Sequence, residues 1–206
     1  YISLPAPVWQ DTFDTNQLSQ YTSGGDKLGT WTIASGVLSV TSPDTNSQST
    51  LVKNNLFLQD LEIVFTTDQA VRGGVVARYQ DNLNYYTLVL GDDTGNPLNN
   101  IRLFKRVAGT TTQIGSGVDI NWPRGTAKTF KLKLYGNKIE VSVDGLTVLS
   151  ATDSTFSGGG VGLYNNDPTA FRCLDFTVYY AKQGVMSEEG TTNLLTANQA
   201  SVETDL

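Results

Sequence analysis

The stretch that decides the fold reads Phe130-Lys131-Leu132-Lys133-Leu134-Tyr135-Gly136-Asn137-Lys138-Ile139-Glu140-Val141-Ser142-Val143-Asp144-Gly145. Apolar and polar residues alternate on both sides of Gly136-Asn137, and a second turn begins at Asp144-Gly145. Alternation with a period of two is typical of β-strands, and Gly beside Asn or Asp is typical of tight hairpins. Together with residues 146–151, the stretch predicts a three-stranded antiparallel meander.

The same alternation continues over most of the chain, with turn residues every 8 to 12 positions or so. It predicts about fourteen short strands, the number that a two-layer sandwich of this size needs. The run Gly158-Gly159-Gly160 precedes another alternating segment instead of a helix, so it indicates a turn with a bulge and not a phosphate-binding loop. The fold class predicted is all-β, an antiparallel sandwich.

The amino-acid composition argues against several classes of partner and several kinds of catalytic chemistry. Fourteen Lys and Arg against 20 Asp and Glu give a net charge of -6, which repels nucleic acid and anionic lipid surfaces. The apolar runs are far shorter than the roughly 20 residues that cross a bilayer. With no histidine, serine-triad hydrolysis and most zinc chemistry lose a required residue. The one cysteine, Cys173, lies in an apolar segment and is predicted to be a buried, inert thiol.

Four stretches, one of them quoted above, stand in order along the chain: Trp31-Thr32-Ile33-Ala34-Ser35-Gly36-Val37-Leu38; Gly73-Gly74-Val75-Val76-Ala77-Arg78-Tyr79-Gln80-Asp81 with Asn84-Tyr85-Tyr86-Thr87-Leu88-Val89-Leu90; Phe130 to Gly145; and Gly159-Gly160-Val161-Gly162-Leu163-Tyr164 with Leu174-Asp175-Phe176-Thr177-Val178. Together they resemble the concanavalin A-like, laminin-G-like jelly rolls. The resemblance covers residues 8–180 and implies two antiparallel sheets, one of them curved, in a module that usually binds carbohydrate and sometimes protein.

The resemblance also bears on catalysis, because the glucanases of this fold carry a Glu-x-Asp-x-x-Glu strand. No such arrangement is present around any of the five glutamates, which are at positions 62, 140, 188, 189 and 203. Carboxylates from different strands could still meet at glycosidase spacing. We therefore expect a protein that is not an enzyme.

The chain divides into a lead-in (1–7), the sandwich (8–181), a linker (182–190) and a tail (191–206). The tail resembles the opening of jelly rolls that follow one another in bacteriophage and prophage tail proteins. That resemblance implies the first strand of a following module in a virion surface protein. A start at Tyr1 instead of Met fits a processed or excised piece of such a protein, and symmetric homo-oligomers are common among virion fibres.

Four residues are predicted to contact a ligand, because sugar recognition combines planar donors with aromatic faces: Arg78, Tyr86, Arg106 and Trp122. Strand alternation places Val75, Ala77 and Tyr79 in the core and Val76, Arg78 and Gln80 on the opposite face. The resemblance points to Tyr86 as the tyrosine sharing the Arg78 face. Arg106 shares a basic, aromatic face with Arg102 and Phe104, and Trp122 is expected on a loop.

Each of these residues also has a structural alternative. Arg78 could form an ion pair with a neighbouring aspartate, and Tyr86 could simply pack in the core. The face that carries Arg106 could be a solvated outer surface. Trp122 could plug one end of the sandwich.

Asp11, Asp14 and Asp175 are predicted to lie together, because first and last strands are commonly neighbours in this fold. Their oxygens could hold calcium, which takes six to eight oxygen ligands. The alternative is that the aspartates cap turns.

Three functions are compatible with these observations. The favoured one is a non-catalytic carbohydrate-binding module of a virion or other extracellular surface protein that attaches to cell-surface glycan. The second is a structural module that assembles a virion through protein contacts and binds no sugar. The third is a glycoside-acting enzyme of the same fold, which would need two facing carboxylates in one cleft.

Overall fold

A computed structural model describes residues 5–44, 47–91, 98–168 and 171–182. The tail (191–206) and nearly all of the linker lie outside the described residues. Within the described ranges the chain forms sixteen strands and one short 3-10 helix, Leu18–Gln20. The strands are β1 (Trp9–Asp11), β2 (Tyr21–Gly25), β3 (Thr30–Ala34), β4 (Val37–Thr41), β5 (Ser49–Lys53), β6 (Leu61–Thr67), β7 (Gly73–Asp81), β8 (Asn84–Leu90), β9 (Leu98–Val107), β10 (Thr110–Trp122), β11 (Lys128–Tyr135), β12 (Lys138–Val143), β13 (Leu146–Thr152), β14 (Gly160–Asn165), β15 (Phe171–Cys173) and β16 (Asp175–Tyr180).

The strands form two large antiparallel sheets, as predicted. The six-stranded sheet has the order β1-β16-β6-β11-β12-β13, and the seven-stranded sheet has the order β10-β9-β8-β7-β14-β5-β2. A small third sheet has the order β15-β4-β3. The predicted meander is confirmed as β11, β12 and β13, and the first strand pairs with the last.

The core lies between the two large sheets and follows the alternation read from the sequence. In β6 every second residue is buried, beginning with Leu61 and Ile63. Phe65 continues this row and stacks on Phe130 of β11 with ring centroids 5.6 Å apart. Cys173 is free and buried in the same core, and burial raises its pKa, so the prediction of a buried thiol is confirmed.

One extra residue interrupts the alternation in β7. The neighbouring strand β14 pairs Val161 with Ala77 and Gly160 with Tyr79, so Arg78 is left over between them as a β-bulge. Arg78 has a φ of 47°, in the left-handed region. A bulge shifts the following side chains by one position, so Tyr79 changes face relative to strict alternation.

The face of the seven-stranded sheet that points away from the six-stranded sheet, here called the outer face, is partly covered by the chain itself. It carries a second apolar cluster of Val76, Tyr85, Val89 and Tyr164, all buried. Gln48, just before β5, accepts a hydrogen bond from the Tyr85 hydroxyl and donates to Thr111 Oγ1 at 3.2 Å. Because β5 and β10 lie near opposite edges of the sheet, these contacts show that the sheet curves around its outer face.

No helix in the described ranges has the length and apolar character needed to span a membrane.

Candidate functional site

A pocket of about 260 Å³ opens on the outer face where β2, β5 and the β7–β8 turn meet. Eight residues line it, and we call it the Tyr79 pocket: Thr22, Ser23, Gly24, Val52, Lys53, Asn54, Tyr79 and Asn82. Small-molecule binding sites are usually concave and carry a few polar groups that converge on the ligand, and this pocket has both features.

Glycines bring the walls of the pocket together. A Cβ at Gly160 would lie 3.1 Å from Val52 Cγ1 and 3.7 Å from Tyr79 Cβ, so a glycine in β14 lets these two flanking side chains approach each other. A Cβ at Gly24 would lie 3.2 Å from the Tyr79 hydroxyl oxygen. The close packing of β2, β14 and Tyr79 therefore depends on positions without side chains.

The polar groups of the pocket are held by hydrogen bonds within the protein. Asn82 Oδ1 accepts from the Gly25 N–H at 2.8 Å and from the Tyr79 hydroxyl, which ties the β7–β8 turn to β2. Thr22 Oγ1 donates to Asn54 Oδ1 at 2.6 Å. These groups are thereby oriented before any ligand arrives, which lowers the entropic cost of binding.

Lys53 is the charged member of the lining, but its ammonium group is engaged elsewhere. The Lys53 Nζ lies 4.2 Å from the centroid of the Trp9 ring and donates to the Asn54 carbonyl oxygen at 2.9 Å. Desolvation lowers the pKa of this ammonium. The polar side chains that face the pocket are therefore uncharged hydroxyl, amide and phenol groups.

Tyr79 is the aromatic wall of the pocket. Its ring stacks on Tyr85, with centroids 5.5 Å apart and planes 19° apart, so the Tyr85 ring fixes its orientation. Burial raises the pKa of Tyr79, so the phenol stays neutral and can both donate and accept. A neutral phenol beside amides and a hydroxyl can bind the hydroxyl groups of a polar, uncharged ligand.

Arg78 lies elsewhere, and the prediction that it projects from the outer face is wrong. Its side chain is buried and donates to three backbone carbonyl oxygens, of Gln59 at 2.8 Å, Phe156 at 2.7 Å and Gly136 at 2.8 Å. Asp60 Oδ1 is 3.5 Å from its Nη2. The bulge turns Arg78 toward these loops. The contact with Asp60 is the ion pair with a neighbouring aspartate that was the alternative to ligand binding.

Tyr86 lies near Arg78, as expected, but on the inner side at the rim of the core. Its hydroxyl donates to Asp153 Oδ1 at 2.7 Å and accepts from the Phe156 N–H at 3.1 Å. Desolvation is the main reason that the pKa of Tyr86 rises to about 12. Lys105 donates to Asp153 Oδ2 at 2.6 Å and completes this partly buried network.

The other two predicted ligand residues do not join this pair. Arg106 is on the outer face, as the alternation predicted, but it is 6% exposed and donates two hydrogen bonds to Asp26, at 3.0 and 2.6 Å. Trp122 is not on a loop: it ends β10, is 1% exposed, packs against Phe130 and donates to the Thr126 carbonyl at 2.6 Å.

The structure therefore brings together only Arg78 and Tyr86 of the four. Arg106 is on the opposite face of the sheet. Trp122 contacts the chain just before β11 begins, whereas Arg78 contacts Gly136 just after β11 ends, so the two lie at opposite ends of the sandwich. That these four residues bind a ligand stays a prediction. Their burial argues against it.

The three carboxylates predicted to hold calcium do not converge. Asp11 is buried, and its oxygens accept from the Phe13 N–H at 2.9 Å and the Tyr21 hydroxyl at 3.0 Å. Asp14 accepts from Thr12 Oγ1 and Asp175 from Thr177 Oγ1, the local bonds of turn aspartates. No group of three or more Asp, Glu or Cys residues that could hold a metal ion occurs in the described part of the chain. The predicted calcium site is not formed by these residues.

Comparison with known proteins relates the chain to sandwiches of the predicted type. No protein-family model matches the chain, and no curated protein matches it. Among solved structures, the carbohydrate-binding module CBM66 from Bacillus subtilis is 22% identical, with 74% of this chain and 91% of that chain covered and a TM-score of 0.59. A Bacillus subtilis protein of unknown function with a galectin-like fold is 12% identical over 85% of this chain and 96% of that one, with a TM-score of 0.64.

A glycoside hydrolase family 16 endo-glucanase from Bacteroides ovatus is 9% identical, with 84% of this chain and 100% of that chain covered and a TM-score of 0.61. These likenesses show the fold: a jelly-roll sandwich of the concanavalin A-like type. Both a binding module and a hydrolase are among the structures, so the fold by itself does not decide between binding and catalysis.

Proposed function

We propose that this chain is a non-catalytic carbohydrate-binding module and that the Tyr79 pocket is its sugar site. The observation that carries the proposal is the lining itself: the Tyr79 phenol, the Asn54 and Asn82 amides and the Thr22 hydroxyl are already oriented and lie beside the apolar side chain of Val52. Sugars present hydroxyl groups at the edge of the ring and C–H groups on its faces, and this combination suits both. The carbohydrate-binding module among the structural neighbours supports the same reading.

The lining also supports binding without catalysis. Glycoside hydrolysis uses two carboxyl groups about 5 to 9 Å apart across the scissile bond. None of the eight residues that line the Tyr79 pocket is Asp or Glu. The glutamates of β6 and β12, Glu62 and Glu140, both pair in register with Lys133 on the six-stranded sheet, away from the pocket.

We further propose that the module belongs to a virion or other extracellular surface protein and attaches it to cell-surface glycan. The support is the resemblance of residues 191–206 to the start of successive modules in bacteriophage tail proteins. Neighbouring modules of the same protein would then be its partners.

The test of the sugar site is binding of the folded protein to a glycan array, followed by calorimetry of the glycans that bind. Tyr79→Phe removes the hydroxyl and keeps the ring, so we expect affinity about 3- to 10-fold weaker, the effect of one hydrogen bond. Tyr180→Phe is the matched control, because Tyr180 is 63% exposed and does not line the pocket.

Failure to bind any glycan on the array, with folding confirmed by circular dichroism, would contradict the proposed function. Binding that Tyr79→Phe leaves unchanged would instead place the sugar outside the Tyr79 pocket.

A further inference from the structure

Phe57 is a large aromatic residue that the core does not use. It lies in the connection between β5 and β6, and 67% of its surface is exposed. A buried phenylalanine contributes to the stability of the fold, and an exposed one gives up that contribution. A single exposed apolar residue is ordinary in itself, and its surroundings decide whether it has a role.

The side chain of Phe57 is on the same side of the sheet as the Tyr79 pocket. Its neighbours Leu56 and Leu58 pack against the main core, and in an extended segment the residue between them points the opposite way. Asn54, three residues earlier, lines the pocket. Three extended residues span at most about 10 Å, which sets the scale of the separation.

The Phe57 ring lies close to the backbone of a glycine, Gly158. A Cβ at Gly158 would lie 3.1 Å from Phe57 Cε1, so the absence of a side chain lets the Phe57 ring approach the backbone there. The Gly158 carbonyl accepts a hydrogen bond from Gln80, the residue that follows Tyr79. The ring is thus supported at the end of the pocket where β5 and β7 finish, and its remaining surface is open to solvent.

We propose that Phe57 is a second sugar contact, a platform on which the sugar residue next to the one in the Tyr79 pocket stacks. The C–H face of a sugar ring packs on an aromatic ring, whereas the polar pocket holds hydroxyl groups. The preferred ligand is then a chain of two or more sugar residues. This inference rests on the proposed function, because it extends the same site.

The charge of the protein indicates that these sugars are neutral. The side chains facing the pocket are uncharged, and the ammonium of Lys53 lies over Trp9. The net charge of -6 repels uronic acids and sulfated sugars at long range. Neutral oligosaccharides are therefore the class to test.

The test measures affinity by calorimetry for glucose, galactose, mannose and fructose, and for linear di- and tetrasaccharides built from each. We expect the whole chain to bind one tetrasaccharide about 3- to 10-fold more tightly than its monosaccharide, the worth of one aromatic contact. Phe57→Ala should remove this gain and leave the monosaccharide affinity unchanged. Phe57→Trp should keep it, and Leu146→Ala, at another exposed apolar residue, is the matched control.

The outcomes separate the inference from the proposed function. Equal affinity of the unaltered protein for mono- and tetrasaccharides, or a tetrasaccharide gain that survives Phe57→Ala, overturns the platform while sugar binding stands. Loss of monosaccharide affinity in Phe57→Ala also overturns it, because Phe57 would then belong to the pocket. If the unaltered protein binds neither this panel nor any glycan on the array, the proposed sugar site fails and the platform fails with it.

Discussion

Arg78 shows how one extra residue in a strand changes the face on which its side chains lie. Strict alternation places it opposite Ala77 and on the same side as Val76, but the register makes it the extra residue of a bulge. Its guanidinium is therefore enclosed by the carbonyls of Gln59, Gly136 and Phe156, which belong to three separate connections between strands. Desolvation lowers the pKa of Arg78, and these hydrogen bonds compensate for the loss of water around the charge.

Replacing Arg78 should therefore destabilise the fold. Arg78→Ala leaves three carbonyl oxygens without their donor and opens a cavity, and we expect the free energy of unfolding to fall by about 3 to 5 kcal/mol. Urea denaturation followed by tryptophan fluorescence measures the change. Lys27→Ala, which breaks the exposed ion pair with Asp44, is the control and should change stability by less than about 1 kcal/mol. An Arg78→Ala protein with unaltered stability and weakened glycan binding would show instead that Arg78 is a ligand residue.

At the scale of elements, the strands were predictable and their irregularities were not. The strands β11 to β13 follow directly from alternation and from Gly at the turns, because both depend on neighbouring residues alone. Trp122 was expected on a loop because Pro123 and Gly125 follow it, yet β10 extends to Trp122. Burial against Phe130 and the bond to Thr126 favour the strand position, and both contacts depend on β11 and the segment before it.

The segment that follows β2 forms an ion pair with β9 on the outer face. Asp26 holds Arg106 of β9 with two hydrogen bonds, and the side chain of Arg106 is 7% exposed. Desolvation alone would lower the pKa of Arg106, but the hydrogen bonds that it donates to Asp26 raise it. The ion pair thereby fastens one edge of the curved sheet to strands near the other edge.

We expect Asp26→Ala to lower the free energy of unfolding by about 1.5 to 3 kcal/mol, because it leaves a poorly solvated guanidinium without its partner. Thermal or urea unfolding of the variant measures this. Asp44→Ala removes an aspartate from a mostly exposed pair and serves as the matched control. Equal stability of the two variants would mean that the Asp26–Arg106 pair contributes no more than a surface ion pair.

At the scale of the whole molecule, the all-β sandwich was predictable because most of its strands show the same local alternation, although β2, which reads Tyr21-Thr22-Ser23-Gly24-Gly25, does not and was missed. The Tyr79 pocket was not predictable from the sequence. Its walls come from β2, β5 and the β7–β8 turn, and no local pattern specifies that these segments meet. Tyr79 itself was assigned to the core, since no residue within β7 marks the bulge that turns it outward. The glycines of β14 were visible, but they indicated only a turn and a bulge.

The two sheets are joined at one rim by Asp153, which follows β13 of the six-stranded sheet and binds Tyr86 and Lys105 of the seven-stranded sheet. Burial alone would raise the pKa of Asp153, but hydrogen bonds from Lys105, Thr155 and Tyr86 outweigh it and hold the pKa well below its usual range. A carboxylate whose pKa is lower in the folded state stabilises the fold above its unfolded pKa, about 3.9 for Asp. That contribution is lost as the pH falls below about 4 toward the folded value.

Stability against pH therefore tests this link between the sheets. We expect the urea midpoint of the unaltered protein to fall between pH 5 and pH 2, and Asp153→Asn to be less stable than the parent at pH 7 by about 1 to 3 kcal/mol. The difference should shrink as the pH falls below about 4, because the unfolded parent then takes up a proton that the folded parent binds only at lower pH. Asp14→Asn, at an exposed turn aspartate, should keep the parental pH profile. A difference between Asp153→Asn and the parent that stays constant or grows in acid would show that the charge of Asp153 does not hold the two sheets together.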